Sequence, residues 1–467
     1  MTVYVGLDDT DSRRAMCTTY VATELLARFH ELGWDLLGYP RLVRLNPNIP
    51  WKTRGNGALC LRFGHGAGSP HLVGAFQGWT AKAYASGGGR APSETLYRVA
   101  QDTVLDLADL DEPDTQPGLV VTRERPPESL YWKAVRDVVS PAEIAQDLAR
   151  ADFTFSPKGA RGLIGALAAL AWRPHDRTFE VLAYRESRRW GTPREVAAAD
   201  VADLDGRFPR TFNNYDPEVD HVAIAPRSPC PVLLGIRGER PAELPLALAT
   251  LRGEPLDRWL LFETNQGTDD HLVDRRVEEL RPHTSAILEG RVGDPPRTVR
   301  GGHVVFSLHD GAEVDCVAYE PSKSFRRVVR RLRPWDQIRV SGSIRSEPVA
   351  INLERLEVVD LAVDSVKLEN PRCPRCARSM KSAGRGAGYR CRRCRIRAGP
   401  EEARWVPLGR GLPRGLYEPP VSARRHLSKP LKRLAPSQEA FATVRIASAR
   451  MSIPASRSSS SMVSAGM

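Results

Sequence analysis

The chain has 467 residues, of which 41% are hydrophobic and 27% charged, and a formal net charge of +12. That length is too great for one hydrophobic core, because cores stop growing at roughly 250 to 300 residues, so three or four domains are expected. The composition excludes a disordered or fibrous chain, no stretch approaches the roughly 20 apolar residues of a membrane span, and an N-terminus that runs straight from a strand-like segment into acids is not that of a signal peptide.

In chain order, Thr2 to Leu7 is apolar and β-branched and reads as a strand, Thr18 to His30 has helical spacing, and Leu36 to Leu45 and Gly57 to Phe63 read again as strands. Ser93 to Leu110 is helical. From Pro141 to Asn265, helices (Gly162 to Trp172, Pro241 to Arg252) mix with strands (Thr178 to Tyr184, Val219 to Ala225, Val232 to Ile236, Arg258 to Glu263). This α+β texture is met most simply by a ferredoxin-like or related split βαβ layer. From Ser285 to Val358, five short strands with one helix (Ser324 to Leu332) between the third and fourth predict an OB-fold barrel, a scaffold often used for unpaired nucleic acid. Past Ala435 the chain is serine-rich and aperiodic, which predicts a disordered tail.

Positive charge is clustered rather than dispersed. Between Pro371 and Arg433 there are 18 Lys and Arg against three acids (Glu401, Glu402, Glu418), so the rest of the chain is slightly acidic. Such a cluster attracts polyanions. Within it, Cys373-x-x-Cys376 and Cys391-x-x-Cys394 place four thiolates in two knuckles, the pattern of a tetrahedral structural zinc site whose ligands are all protein. The other cysteines (Cys17, Cys60, Cys230, Cys316) are widely spaced, which fits a reducing cytoplasm better than a disulfide framework. Arg392 and Arg393 in the ribbon, then Arg424, Arg425, His426 and Lys429, interleaved with Trp405 and Tyr417, are candidates for RNA contact.

The N-terminal turn Asp8-Asp9-Thr10-Asp11-Ser12 follows an apolar strand directly. Carboxylates so close repel unless a cation sits among them, and hard oxygen ligands suit Mg²⁺ on a nucleotide phosphate; an Asp-rich helix cap is the plainer alternative. Thr18, at the start of a helix, is an N-cap, a phosphate ligand or a nucleophile. The loop from Arg41 to Gly57 holds Arg44, Lys52 and Arg54 beside Gly55 and Asn56, without the GxxxxGK[ST] or GxGxxG signatures of familiar phosphate loops.

These strings together (GLDDTDS, MCTTY, RLVRLNPNIPWKTRGNGA, PCPVLLGIRGE, TNQGTD, GLYEPP and RRHL) resemble the archaeal tRNA(Ile) 2-agmatinylcytidine synthetase family from Thr2 to about Leu434. The resemblance implies a multidomain α+β chain: a kinase-like catalytic domain over 1–135, allowing for discontinuity, then a ferredoxin-like domain over 136–275 and an OB fold over 283–360. A zinc ribbon over 368–400, a basic tRNA-binding segment over 401–434 and the tail 435–467 complete it. It implies an ATP-dependent enzyme that activates the 2-oxo group of the wobble cytidine in the CAU anticodon of isoleucine tRNA and installs agmatine there, so that AUA is read in place of AUG. ATP ends as AMP and two phosphates, no protein partner is required, and the threonine that becomes phosphorylated falls on Thr18. Asp8, Asp9 and Asp11 would hold Mg²⁺, and Ser12, Arg44, Lys52, Arg54, Gly55 and Asn56 would contact ATP. Arg14-Ala15 stand before Met16 where the family tends to have glycine, and the serine-rich tail has no counterpart. Agmatine is a dication and wants carboxylates, for which Asp216, Glu239, Asp269 and Asp270 are candidates. Two competing readings are another ATP-using RNA-modifying ligase or kinase, and a non-catalytic single-strand binder built from the barrel and ribbon. The Asp-rich turn before a helix argues against the second, because binding alone does not need it.

Overall fold

The strand Val3–Asp8 is hydrogen-bonded on both edges, antiparallel to Gly57–Ala67 and to Gly118–Thr122, in a computed structural model that describes residues 2–434 apart from 77, 90–92, 364 and 385. The expected tail lies outside the described residues. Both faces of the strand are covered, which is why its run is apolar throughout rather than alternating. Val3, Val5 and Leu7 pack with Leu25 and Phe29 of the helix Thr18–Glu31 and with Leu96 and Ala100 of the helix Ser93–Leu107. The helix Arg161–Ala171 covers the other face so closely that a Cβ on Gly6 would lie 2.6 Å from the Ala166 carbonyl oxygen.

The α+β region does not stand apart from this layer. Its strand Leu256–Thr264 pairs antiparallel with Thr178–Arg185 on one side and with His71–Phe76 on the other, so a single sheet runs from Thr211–Phe212 to Phe153–Phe155. Phe153–Phe155 pairs with Gly118–Thr122, which carries the first layer past residue 135. Two expected strands are shorter than their patterns. Leu36 to Leu45 divides into Asp35–Leu37 and Arg41–Arg44, because Gly38 takes φ 67° and Pro40 offers no N–H to a ladder. Val219 to Ala225 keeps only His221–Val222.

From Ser285 onward, the five strands Ser285–Val292, Val304–Asp310, Ala312–Ala318, Gln337–Arg345 and Ala350–Asp360 close on themselves in the order 1-2-3-5-4-1, with the helix Lys323–Val329 between the third and fourth. This is a small Greek-key barrel of the OB kind. Its core includes Leu288, Phe306, Val314, Phe325, Val340 and Leu356. Beyond it, three two-residue strands (Lys381–Ser382, Tyr389–Arg390, Arg397–Ala398) form the ribbon around a core of only a few residues. The strand Gly415–Tyr417 returns to the barrel against Ala350–Asp360. Among the described residues, no helix is long and apolar enough to cross a membrane.

Candidate active site

A cavity of about 660 Å³ gathers Asp8, Asp9, Asp11 and Thr18 from the N-terminal strand, turn and helix, Arg44 from the end of the strand Arg41–Arg44, and Lys52, Arg54, Gly55 and Asn56 from the loop after it. The aspartates are fixed individually. The chain turns at Asp9, whose φ is 57°, and the Asp9 N–H donates to Asp8 Oδ1 at 2.8 Å. The Gln116 N–H donates to Asp9 Oδ2 at 3.0 Å. The Thr53 hydroxyl lies 3.1 Å from Asp11 Oδ1 and 3.4 Å from Asp9 Oδ1, and Arg54 Nε donates to Asp11 Oδ2 at 2.6 Å. Burial and then the charges of Asp9 and Asp11 push Asp8 well above the usual carboxylate range, and burial with Asp11 pushes Asp9 up to about 6. The cluster is short of positive charge, which a bound cation would supply.

Among the described residues, these carboxylates do not converge into a closed cage, and Asp11 is already paired with Arg54. One or two carboxylates with phosphate and water completing the shell is the way Mg²⁺ is ordinarily held, so the donor set fits that ion arriving with a nucleotide.

Thr18 is the first helical residue, and the N-cap is Cys17, in extended conformation with no side-chain capping bond. The Thr18 hydroxyl is therefore not occupied in capping. It is buried and accepts a hydrogen bond from the Thr10 hydroxyl at 3.2 Å. Ser12 does not line the cavity; its hydroxyl accepts the Ala15 N–H at 2.9 Å and the Arg14 N–H at 3.2 Å, closing the turn in which Met16 takes φ 62°. Arg14 and Ala15 thus need no glycine-like backbone. Lys52 Nζ is drawn to the carbonyls of Pro47 and Ile49, and Arg44 Nη1 to that of Gly55.

Sequence reasoning missed several residues of this cavity. Arg161 lines it with a buried, unpartnered Nε, and its charge opposes the rise of Asp9. Gly165 is required because a Cβ there would lie 1.7 Å from Asp8 Oδ2. Glu180 and Arg237, paired at 2.9 Å, form another part of the lining. The Gly162-x-x-Gly165 spacing is a visible sign of close approach, and Arg237 lies within the string PCPVLLGIRGE; nothing local marks Arg161 or Glu180. Of the acids considered for agmatine, Asp216, Glu239, Asp269 and Asp270, none lines the cavity. Each is committed elsewhere: Asp216 to the Ser422 N–H, Glu239 to Arg210 and Arg433, Asp269 to Arg355, and Asp270 to the Tyr131 hydroxyl.

In the ribbon, the sulfurs of Cys373, Cys376, Cys391 and Cys394 lie within 4.8 Å of one another, with Cys376 and Cys391 at 3.7 Å. Zinc–sulfur bonds of about 2.3 Å in a tetrahedron give edges of roughly 3.8 Å, so the quartet fits zinc. All eight cysteines are free of disulfides.

The basic residues divide into two groups. Arg392 and Arg393 are exposed. The segment after Tyr417 instead folds back into the body: Arg424 pairs with Glu418 at 2.7 Å, Arg425 with Glu354 at 3.0 Å and Lys429 with Asp176 at 2.9 Å, while His426 reaches the large cavity.

Three family models match in the same order as this architecture: the TiaS TCKD domain over residues 4–157, the TiaS FLD domain over 160–271 and the TiaS C-terminal zinc ribbon domain over 370–408. The isoleucine-tRNA 2-agmatinylcytidine synthetase TiaS of Archaeoglobus fulgidus is 42% identical over 445 residues, which are 93% of this chain and 98% of that protein. Among solved structures, a complex of TiaS with isoleucine tRNA and ATP superposes with a TM-score of 0.77 at 39% identity, over 93% of this chain and 98% of that one. A complex of TiaS with isoleucine tRNA, AMPCPP and agmatine gives 0.75 at 36% identity, with the same coverage. With near-complete coverage in both directions, the chain belongs to the isoleucine-tRNA 2-agmatinylcytidine synthetase (TiaS) family.

Proposed function

We propose that this protein is an ATP-dependent ligase that forms 2-agmatinylcytidine at the wobble cytidine of the CAU anticodon of isoleucine tRNA. The observation that carries the reading is one cavity holding the three aspartates, the hydroxyl of Thr18, which makes no capping bond, and the cations Arg44, Lys52 and Arg54, in a chain of this family. Relatives solved with tRNA, ATP and agmatine support the same set of substrates. The region through about 157 is the kinase-like catalytic domain and the following α+β layer is ferredoxin-like. The barrel, ribbon and basic segment bind tRNA, and the enzyme works in the cytoplasm.

Oxygen 2 of cytosine is a poor leaving group. A phosphoryl group of ATP placed on that oxygen converts it to a good one; the primary amine of agmatine adds at carbon 2, and the C2–O bond breaks with release of phosphate and the proton of the amine. The cytidine must leave the anticodon stack to enter the cavity. Thr18 Oγ1 loses its proton and takes the second phosphoryl group as its P–O bond to the nucleotide breaks, the nucleotide leaves as AMP, and water releases the threonine-bound group as the second phosphate, while Arg44, Lys52 and Arg54 steady the phosphate charge. Asp8, Asp9 and Asp11 would supply the carboxylates for Mg²⁺, one or two of them directly, and the ion would neutralise charge on the transferring phosphate. Cys373, Cys376, Cys391 and Cys394 would hold zinc with protein ligands alone, and the ion would tie the ribbon together.

Incubation of the purified protein with ATP, agmatine and unmodified CAU-anticodon tRNA, followed by mass spectrometry of the nucleosides, tests the reading. The expected product carries agmatine on cytidine and requires both ATP and agmatine. Recovery of cytidine alone would refute it.

A further inference from the structure

His426 takes no part in the chemistry above, yet its protons are fixed by its surroundings. Its Nδ1 lies 3.0 Å from Gln266 Oε1, Gln266 Nε2 donates to Glu180 Oε2, and Glu180 Oε1 lies 2.9 Å from Arg237 Nε. A carboxylate paired with guanidinium only accepts, so the amide nitrogen of Gln266 faces Glu180 and its oxygen faces the imidazole. Nδ1 therefore carries the hydrogen, and Nε2 carries the lone pair. Among the described residues Nε2 has no hydrogen-bond partner, and it borders the cavity beside Gly55, where a Cβ would sit 3.7 Å from it. Arg44 above all, then burial and Arg237, hold the ring well below the usual histidine range. With the Nδ1 hydrogen committed to Gln266, Nε2 is left as an acceptor towards the cavity.

We propose that His426 Nε2 is a specificity-determining acceptor for the exocyclic 4-amino group of the target cytosine, with Gln266 and Glu180 as its positioning residues. The inference rests on the function proposed above. Cytosine offers an N–H donor at position 4, whereas uracil offers a carbonyl, which would set acceptor against acceptor. Agmatine would bring donors to the cavity too, but its nitrogens are cationic. The guanidinium charges that keep the ring neutral repel a cation there, while the amino group of cytosine is uncharged.

The test uses the full-length protein and two tRNAs that differ only at the wobble position, one with cytidine and one with its 4-deamino analogue, pyrimidin-2-one riboside. Agmatine incorporation is followed as kcat/KM. The wild type is expected to prefer cytidine by roughly 10- to 100-fold, the effect of leaving a built acceptor unpaired. His426→Phe should lose about that factor on cytidine and little on the analogue, so the preference collapses towards unity. Gln266→Leu, which frees the tautomer while leaving the imidazole, should lower the preference too. A preference retained by His426→Phe overturns the proposal, as does a rise confined to the KM for agmatine, which would assign Nε2 to the amine. Imidazole nitrogen NMR of the free protein should show the neutral Nδ1–H tautomer between about pH 6 and 8; a protonated ring or an Nε2–H tautomer overturns the proposal whether or not tRNA is modified. Failure of the wild type to modify cytidine-bearing tRNA would instead refute the function, while the spectrum still decides the acceptor.

Discussion

Replacing Thr18 by alanine separates a folding role from a chemical one, because the helix cap is Cys17 and no capping bond is lost. What the substitution removes from the folded protein is one acceptor, reached by the Thr10 hydroxyl at 3.2 Å in a buried setting. One such bond contributes roughly 0.5 to 1.5 kcal/mol, so the melting temperature should fall by no more than about 2 to 4 °C. A group that takes a phosphoryl transfer contributes far more to turnover. A loss of about 10³ or more in agmatine incorporation is expected, about 4 kcal/mol at 1.36 kcal/mol per tenfold. Thermal melts, tRNA binding, nucleoside analysis and labelling of the protein by radiolabelled ATP should be run on the same preparations. Thr18→Ser should keep label and turnover, and Thr10→Val, which removes the donor but leaves the Thr18 hydroxyl, should have a modest effect. Label on Thr18→Ala, or turnover within a few-fold of wild type, would refute the assignment and leave the aspartates as the chemical core.

Three further outcomes follow from the same geometry. Wild-type protein should carry about one zinc per chain and Cys391→Ser much less, measured by elemental analysis; equal contents would remove zinc from the four-cysteine site. Burial alone would raise Glu354, but His271, Arg425 and hydrogen bonds from His271 and Ser428 bring it down to about 2 from its ordinary 4.5. A depressed carboxylate contributes stability that is present above its unfolded pKa and lost as pH falls through the folded one, so urea melts should weaken from about pH 4.5 towards 2, and less steeply in Glu354→Gln. Arg392→Ala with Arg393→Ala should leave stability unchanged and lower tRNA affinity with a salt slope reduced by up to about 2, whereas Arg424→Ala, which strands Glu418, should cost on the order of 3 kcal/mol of stability; the reverse pattern would refute the division of the basic residues.

The legible parts of this chain are those in which neighbours in sequence do the physical work. The strand ending at Asp8 is an apolar run stopped by acids, the four cysteines stand in two short knuckles, and the barrel strands are short apolar segments with one helix between the third and fourth. The joining of the first two regions into one sheet is of another kind: Leu256–Thr264 meets His71–Phe76 across a wide separation in the chain, and neither short segment encodes its partner. The same limit governs charge. Counting 18 basic residues against three acids from Pro371 to Arg433 locates the positive region but does not tell exposed Arg392 and Arg393 from Lys429, whose counter-ion Asp176 lies far away in the chain. His426 sits in the same conspicuous string as Arg424 and Arg425, and its neighbours suggest another phosphate contact. Its place is instead decided by Gln266, which lies far from it in sequence and is held in turn by Glu180, while the charges of Arg44 and Arg237 lower the affinity of the ring for a second proton, so a residue that sequence presents as one more cation stands at the cavity as an acceptor.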